Sequence, residues 1–226
     1  MDLKKTAQEL IKIYNLMYEK NGSMNWWPSE TPFETVIGAL LAQFVSWKNV
    51  SIAIKKLKDN DLLNPEGIRT ADEERIIELI YSTRFYKQKV KKLKSFCNLL
   101  LDKYSGNLDK MFNKNIKELR SELLSLYGVG EETADSIILY AAYKPVFVVD
   151  TYTRRIFSRL GYFKQDISYK DMQEFFMKHL EPDTQLYNEY HAQIVSVGSN
   201  YCNSKKPFCL KCPLEPVCKK NYRRIN

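Results

Sequence analysis

The chain of 226 residues is 44% apolar and 27% charged, with 8 glycines and 8 prolines, which is typical of a globular protein with one large domain or two small ones. No run approaches the roughly 20 apolar residues of a membrane span, and the N-terminal segment lacks a signal peptide's apolar centre. We therefore expect an unprocessed cytoplasmic protein with no membrane partner. The 35 basic and 27 acidic residues give a net charge of +8, which favours a polyanionic partner without requiring one.

Helical periodicity runs along most of the chain and predicts about ten helices. It begins with apolar residues that share one helical face, at Leu3, Ala7, Leu10, Ile11, Tyr14 and Met17. Thr31-Pro32-Phe33-Glu34 and Thr70-Ala71-Asp72-Glu73 predict helix starts, and Asn64-Pro65-Glu66-Gly67 is typical of a turn. The strand-like run 146–149 has no partner strand in view, so we expect a buried extended segment in an all-α fold.

A tight hairpin between two helices is predicted at Leu126-Tyr127-Gly128-Val129-Gly130. Its two glycines let backbone amides approach a ligand closely, at a helix N-terminus whose dipole favours an anion such as a nucleic-acid phosphate. A plain helix–turn–helix connection explains the same residues without any ligand.

One acid, Asp150, ends the apolar run 146–149 and precedes the helical pattern of residues 151–160. We expect it at a helix N-terminus, where its simplest role is an N-cap. The same position suits a carboxylate that stays ionised and stabilises a cationic sugar transition state.

Four of the five cysteines form the motif Cys202-x6-Cys209-x2-Cys212-x5-Cys218, and the fifth, Cys97, is expected to be a buried core thiol. In a reducing cytosol such a motif indicates a metal centre rather than disulfides. Its single short knuckle and compact span favour an iron–sulfur cubane over a zinc ribbon, which usually has two knuckles. Four unmetallated thiols are the weakest alternative, because they would oxidise readily.

The cysteine segment is also basic. It has one acid, Glu215, against the basic residues Lys205, Lys206, Lys211, Lys219, Lys220, Arg223 and Arg224. This charge either balances an anionic cluster or forms a phosphate-binding face, and both interpretations stay open.

Taken together, these motifs resemble the helix-hairpin-helix DNA glycosylases of the endonuclease III superfamily over nearly the whole chain. Residues 126–130 followed by Thr133-Ala134 are similar to the family's hairpin. Pro145 and Asp150 are similar to its proline and catalytic aspartate, and the four clustered cysteines to its iron–sulfur loop.

The resemblance implies two helical domains. One is a six-helix domain at residues 24–132 that ends in the hairpin, and the other combines residues 1–23 with 133–226 and carries a [4Fe-4S] cluster in the loop 202–218. Double-stranded DNA with a damaged base would bind in a cleft between them, with the target nucleotide flipped out of the duplex. We expect a monomer.

The resemblance also implies which residues contact DNA. Phe85 is similar to the family's intercalating wedge, although core packing explains it equally well, and Gln43 is similar to a glutamine that fills the vacated space. The residues expected to contact DNA are Gln43, Phe85, Lys89, Gly128, Val129, Gly130 and Thr133.

At Glu132 the chain departs from the lyase members of the family, which have at this position a lysine that attacks the sugar. A carboxylate cannot form an imine, so that route to strand cleavage is predicted to be absent. Hydrolysis remains, with Asp150 stabilising the oxocarbenium ion and orienting water. Tyr127 also replaces the usual proline of the hairpin.

A modest catalyst suffices for alkylated purines such as 3-methyladenine, whose positive charge already weakens the glycosidic bond. An aromatic cage would recognise that charge, and Asn25-Trp26-Trp27-Pro28 offers one, with a structural tryptophan staple as the alternative. This segment resembles the endonuclease III-like 3-methyladenine DNA glycosylases, whose best-known member lacks the cysteine loop. The base pocket is expected to comprise Trp26, Trp27, Pro28, Phe44 and Glu132.

The sequence thus predicts a monofunctional DNA glycosylase of base excision repair that removes 3-methyladenine in the cytoplasm, associated with the nucleoid in a prokaryote. One alternative is an endonuclease III-type or mismatch glycosylase, with or without lyase activity. The other is a damaged-DNA-binding module without catalysis. His179 and His191 are expected on a helix surface or in packing rather than in catalysis.

Overall fold

The computed structural model describes residues 3–219, which form twelve α-helices and contain no strand. The prediction of an all-α fold is therefore confirmed. None of the helices in this range combines the length and the apolar run needed to cross a bilayer. In chain order the helices are α1 Leu3–Asn21, α2 Pro32–Leu41, α3 Trp47–Asp59, α4 Pro65–Thr70, α5 Glu73–Ile80, α6 Tyr86–Tyr104, α7 Leu108–Phe112, α8 Ile116–Leu124, α9 Glu131–Ser136, α10 Thr151–Leu160, α11 Tyr169–His179 and α12 Thr184–Asn200.

The chain divides into two compact units. Unit 1 combines the described residues up to Trp26 with those from Pro145 onward, and unit 2 is the continuous segment Trp27–Lys144. Unit 2 therefore contains α2 to α9, and unit 1 contains α1 and α10 to α12. The domain bounds 24–132 and 1–23 with 133–226 stay a prediction. In the compact units, α9, the helix that follows the hairpin, belongs to unit 2 together with the hairpin.

The core of unit 2 is arranged around α2, which is buried along nearly its whole length. Its predicted start is confirmed: Pro32 lies in the first turn, and the Thr31 hydroxyl accepts a hydrogen bond from the Glu34 amide over 3.1 Å. A buried π-helical segment, Ile137–Ala141, continues α9 and packs against α2. A helix that is apolar on all sides is stable only inside such a core.

The predicted segment 146–149 is confirmed as non-helical and buried, and all four side chains belong to the core of unit 1. The Phe147 ring stacks on Phe176 of α11, with centroids 4.2 Å apart. The Tyr190 hydroxyl on α12 donates to the carbonyl of Leu10 over 2.8 Å and ties α12 to α1. This buried packing fixes the chain immediately before Asp150.

Two of the predicted local signals near residue 70 are wrong. Asn64 and Pro65 start a helix instead of making a free turn, because the Asn64 side chain accepts from the Gly67 amide over 2.7 Å. Thr70 then ends α4 instead of capping the next helix, and its hydroxyl donates to the Glu66 carbonyl over 2.8 Å. The following helix, α5, begins only at Glu73.

Candidate active site and nucleic-acid interface

The predicted hairpin lies in unit 2 between α8 and α9. Gly128 has a φ of +71°, a backbone conformation that favours glycine, and the Val129 amide donates to the Leu126 carbonyl over 3.2 Å to close the turn. Gly128 and Gly130 are exposed, whereas Val129 and Thr133 are buried. The glycines therefore offer exposed backbone, while the other two side chains anchor the hairpin in the core.

A charged clamp holds the two hairpin helices together. Arg120 on α8 donates to both carboxylate oxygens of Asp135 on α9, over 2.7 and 3.1 Å, and to Glu131 over 3.2 Å. Asp135 is fully buried, and its hydrogen bond raises the pKa of the Arg120 guanidinium. Glu132 lies next to Glu131 in the first turn of α9 and is exposed.

Lys89, predicted to contact DNA, is instead a buried structural residue. Its side chain is 3% exposed, and its ammonium donates to the carbonyls of Leu41 and Thr83 over 2.8 and 2.5 Å. Burial, together with the nearby charge of Lys92, lowers the pKa of Lys89 to about 8. Because its donors serve main-chain acceptors inside unit 2, it does not present its charge to a phosphate.

Lys92 is a residue that the sequence analysis did not single out. It is buried one helical turn after Lys89, and its ammonium donates to Oε1 of the exposed Gln43 over 2.9 Å. Because an ammonium only donates, the amide oxygen of Gln43 must face Lys92, and Nε2 remains to donate elsewhere. Burial lowers the pKa of Lys92. Gln43 is thus a surface amide held by a buried cation.

Phe44 and Phe85 form an exposed aromatic pair in unit 2. The two residues are 77% and 59% exposed, and their ring centroids lie 6.3 Å apart at an interplanar angle of 69°. Both residues have left-handed backbones, with φ of 57° and 44°, and so does Arg84 with φ of 54°. Such conformations cost about 1–3 kcal/mol each and are frequent at ligand-binding positions. Phe44 was predicted in the base pocket; the structure places it beside the predicted wedge residue.

The residues of the segment Trp26-Trp27-Pro28 have different environments. The half-buried Trp27 ring lies edge-on to Trp47, with centroids 4.6 Å apart, and is tilted by 33° against Tyr140 at 5.0 Å. Within unit 2 these contacts favour the alternative of a structural staple for Trp27. Trp26, in unit 1, is half-buried, and Pro28 is exposed.

Asp150 is the N-cap of α10, as predicted. Its Oδ1 accepts from the Thr153 amide over 2.7 Å and from the Thr153 hydroxyl over 2.8 Å, and the Thr153 hydroxyl accepts from the Asp150 amide over 3.2 Å. This reciprocal capping box occupies only one carboxylate oxygen.

The second oxygen of Asp150 faces a histidine. His191 on α12 places Nε2 3.8 Å from Oδ2, and the two side chains are only 8% and 9% exposed. Burial alone would raise the pKa of Asp150, yet His191 and the bonds from Thr153 lower it below its usual value. The carboxylate is therefore ionised at neutral pH. The expectation that His191 is only a packing or surface residue did not foresee this contact, because no local motif links residues so far apart in sequence.

The four motif cysteines lie in unit 1 and line one small cavity with Arg159, Tyr201, Pro207 and Glu215. Burial and the neighbouring thiols raise the pKa of Cys212 to about 11. Among residues 3–219 no group of three thiol, imidazole or carboxylate side chains is already arranged to hold one metal ion. The donor set suits a thiolate-ligated centre, and closure of the four thiols around it would complete the site. Cys97, as predicted, is fully buried, and burial raises its pKa to about 12.

Two arginines of α10 hold the start of the cysteine segment. Arg155 donates to the carbonyls of Cys202 and Gly198 over 2.7 and 2.9 Å. Arg159 is buried, and it lies 3.1 Å from the Cys202 sulfur and donates to the Asn203 carbonyl over 2.8 Å. The helix that Asp150 caps therefore also positions the cysteine segment.

The basic residues of this segment lie at its surface where they are described. Lys205, Lys206, Lys211 and Lys219 are exposed. Lys220, Arg223 and Arg224 lie outside the described residues.

Residues 37–182 match the family model described as "HhH-GPD superfamily base excision DNA repair protein". A Methanocaldococcus jannaschii protein, "Putative DNA repair glycosylase MJ1434", is 45% identical over 219 residues, which are 96% of this chain and 99% of that protein. Endonuclease III of Sulfolobus acidocaldarius is 30% identical over 83% of this chain and 81% of its own length. The chain therefore belongs to the HhH-GPD superfamily of base excision DNA repair proteins, within its endonuclease III family.

Solved structures agree with this fold. An endonuclease III trapped as a covalent intermediate with DNA superposes with a TM-score of 0.81 at 24% identity, covering 97% of this chain and 99% of that one. The 3-methyladenine DNA glycosylase of H. pylori, bound to 1,N6-ethenoadenine, superposes with a TM-score of 0.73 at 26% identity, covering 88% and 98%.

Proposed function

We propose that this protein is a monofunctional DNA glycosylase that hydrolyses the N-glycosidic bond of alkylated purines, 3-methyladenine foremost, in duplex DNA. The observation that carries the proposal is the ionised, nearly buried carboxylate of Asp150 at the start of α10. Such a carboxylate can stabilise the positive charge that develops on the sugar as the base departs, and can orient the water that replaces the base.

The position of Glu132 supports hydrolysis without strand cleavage. It lies exposed in the first turn after the hairpin, at the position where the resemblance implies a lysine in lyase members. A carboxylate has no amine to attack the sugar, so Asp150 and water account for the reaction. This route suits a cationic base, because the leaving group is already activated.

For DNA contact, we propose the exposed hairpin glycines Gly128 and Gly130 and the aromatic pair Phe44 and Phe85. Exposed backbone amides suit a phosphate, and exposed rings on strained backbone suit insertion into a base stack. Gln43, oriented by Lys92, would donate through Nε2 to an acceptor in the opened duplex. Trp26 and Pro28 remain proposed pocket residues, whereas Trp27 is supported mainly as a packing residue.

We propose further that Cys202, Cys209, Cys212 and Cys218 hold a [4Fe-4S] cluster. The convergence of four thiols on one cavity supports this assignment. When bound, such a cluster would order the basic segment for phosphate contact. The DNA-bound protein is proposed to be a monomer.

A second candidate function is removal of oxidised or mispaired bases. It is favoured by the 30% identity to proteins named endonuclease III. The two candidates differ in substrate, since the same carboxylate can serve either reaction.

The deciding experiment incubates purified protein with duplexes that contain 3-methyladenine, thymine glycol or a G·T mismatch. Strand breaks are measured with and without alkali, and borohydride trapping runs in parallel. Alkali-dependent breaks in the methylated duplex, without a trapped adduct, are expected. Breaks confined to another duplex would assign the second candidate, and tight binding without base release would identify a binding module.

Asp150→Asn is the test of the catalytic group. It removes the charge and should abolish most base release while retaining DNA affinity. Asp183→Asn is the matched control, because Asp183 caps α12 in the same manner through a bond from the Leu186 amide. Full activity of Asp150→Asn would refute the proposed chemistry.

A further inference from the structure

Asp150 and His191 form a nearly buried acid–imidazole pair inside unit 1. The N-cap role of Asp150 is complete with Oδ1, which receives both bonds from Thr153. Oδ2 takes no part in that cap and lies 3.8 Å from Nε2 of His191. The histidine is therefore unnecessary for starting the helix.

The separation decides what kind of contact this is. At 3.8 Å the two atoms are too far apart for a direct hydrogen bond but within ion-pair range. Water weakens such a pair at a surface, whereas side chains that are 8% and 9% exposed interact in a lower effective dielectric. The imidazole can therefore affect the stability of the ionised form of the carboxylate.

We propose that His191 is a positioning residue for Asp150: from α12 its imidazole keeps Oδ2 anionic and directed, so that the carboxylate is ready to face positive charge on the sugar. This inference rests on the proposed glycosylase function. His191 lies on α12, which is neither a helix of the hairpin nor the helix that Asp150 caps.

Three other charged side chains on α10 and α12 have partners away from Asp150. On α12, Glu189 accepts from the Met24 amide over 3.0 Å and from Gln193 over 2.8 Å. On α10, Arg155 and Arg159 donate to the start of the cysteine segment. The groups that lower the pKa of Asp150 are His191 and Thr153.

The first test measures the Asp150 carboxyl directly, by NMR titration of protein with ¹³C-labelled aspartate, using Asp150→Asn to assign the signal. His191→Phe should raise the pKa of Asp150 by about one unit or more, since a buried carboxylate loses its facing imidazole. His179→Phe is the control, because His179 lies on α11 with its ring against Phe175. A second variant, His191→Asn, keeps a polar side chain in case the larger ring perturbs folding.

The second test follows single-turnover base release from the 3-methyladenine duplex against pH. The acid limb of the rate should move to higher pH in both His191 variants, while DNA affinity stays within twofold. A purely structural role would lower the rate at every pH alike. An unchanged Asp150 titration overturns the inference even in an active enzyme. Absence of base release by the wild-type protein instead overturns the proposed function, and the titration still decides whether the pair exists.

Discussion

Glu132 is the single residue on which the choice between hydrolysis and strand cleavage is proposed to depend. We expect Glu132→Lys to restore an amine at the first turn of α9 and to yield an adduct that borohydride traps on duplexes with an abasic site. The measurement is gel retardation of the covalent complex. Alkali-independent breaks should appear with it.

The matched control is Glu131→Lys, which makes the same change in charge one residue earlier. Glu131 contacts Arg120 on α8, so its side chain lies on the clamp side of the helix. Equal trapping by both variants would show that added charge, rather than position 132, is responsible. Trapping by the wild-type protein would mean that another lysine supplies the amine.

The burial of Lys89 leads to a prediction about how the free energy of unfolding depends on pH. Its pKa is lowered from 10.5 to about 8 by burial and by Lys92, so between these values the unfolded chain binds a proton that the folded protein lacks. The free energy of unfolding should therefore rise with pH across this window, and the contribution of Lys89 to that rise should vanish in Lys89→Met. Urea unfolding at pH 7 and pH 9.5 measures the difference.

Lys91→Met is the control for this prediction. It removes a lysine from the exposed side of the same helix. The pH dependence of the wild-type protein and of Lys91→Met should run parallel, while that of Lys89→Met should be shallower. Parallel behaviour of all three proteins would contradict the burial of the Lys89 charge.

At the scale of elements, α10 and α12 approach closely at Gly198. A Cβ built on Gly198 would lie 2.6 Å from Cγ of Tyr152 and 2.7 Å from its Cβ, and the Cβ cannot move away without shifting the helix backbone. Gly198→Ala should therefore destabilise unit 1 by about 1–3 kcal/mol despite the higher helix propensity of alanine. Thermal unfolding measures this loss. The double variant with Tyr152→Ala should recover part of it, and a neutral Gly198→Ala would contradict the close approach.

The elements that could be predicted from sequence are those that depend on neighbouring residues. The cap at Thr31, the hairpin turn at Gly128 and the Asp150 cap follow from short-range backbone chemistry, and the structure has all three. The prediction of a helix start at Thr70 failed because α4 begins after Asn64 and ends at Thr70.

The positions that could not be predicted are fixed by contacts distant in sequence. The two carbonyl acceptors of Lys89, the ring beside Phe44 and the carboxylate facing His191 come from other parts of the chain. Periodicity identifies which face of a helix is buried, but it does not identify which side chain of a neighbouring element contacts that face. Candidate sites are therefore predicted most reliably where a motif is contiguous.

At the scale of the whole molecule, the proposed cluster predicts a link between metal content and DNA binding. We expect purified protein to contain about four iron and four sulfide per chain, and Cys212→Ser to lose both. DNA affinity should fall, with a shallower dependence on salt, because the basic residues of the segment are no longer ordered against phosphates. Elemental analysis and binding titrations at several salt concentrations are the measurements.

Cys97→Ala is the control, since it removes a cysteine from the core of unit 2 and should retain iron. Zinc in place of iron would assign the alternative centre. Unchanged DNA affinity after complete cluster loss would contradict the ordering role.

Unit 1 combines two segments of the chain that lie before and after unit 2, and this arrangement has a consequence for biosynthesis. Residues 27–144 leave the ribosome as one continuous stretch, and unit 2 can fold as soon as residue 144 has emerged. Helix α1 is synthesised before unit 2, whereas its partners on α12, Tyr190 for Leu10 and Gln193 for Asn21, are synthesised after it. At about 5–20 residues per second this delay is on the order of ten seconds. Throughout that interval the apolar face of α1 is uncovered. A nascent chain arrested just after residue 144 has emerged would therefore carry a folded unit 2 and an exposed amphipathic helix, which is a typical substrate for chaperones.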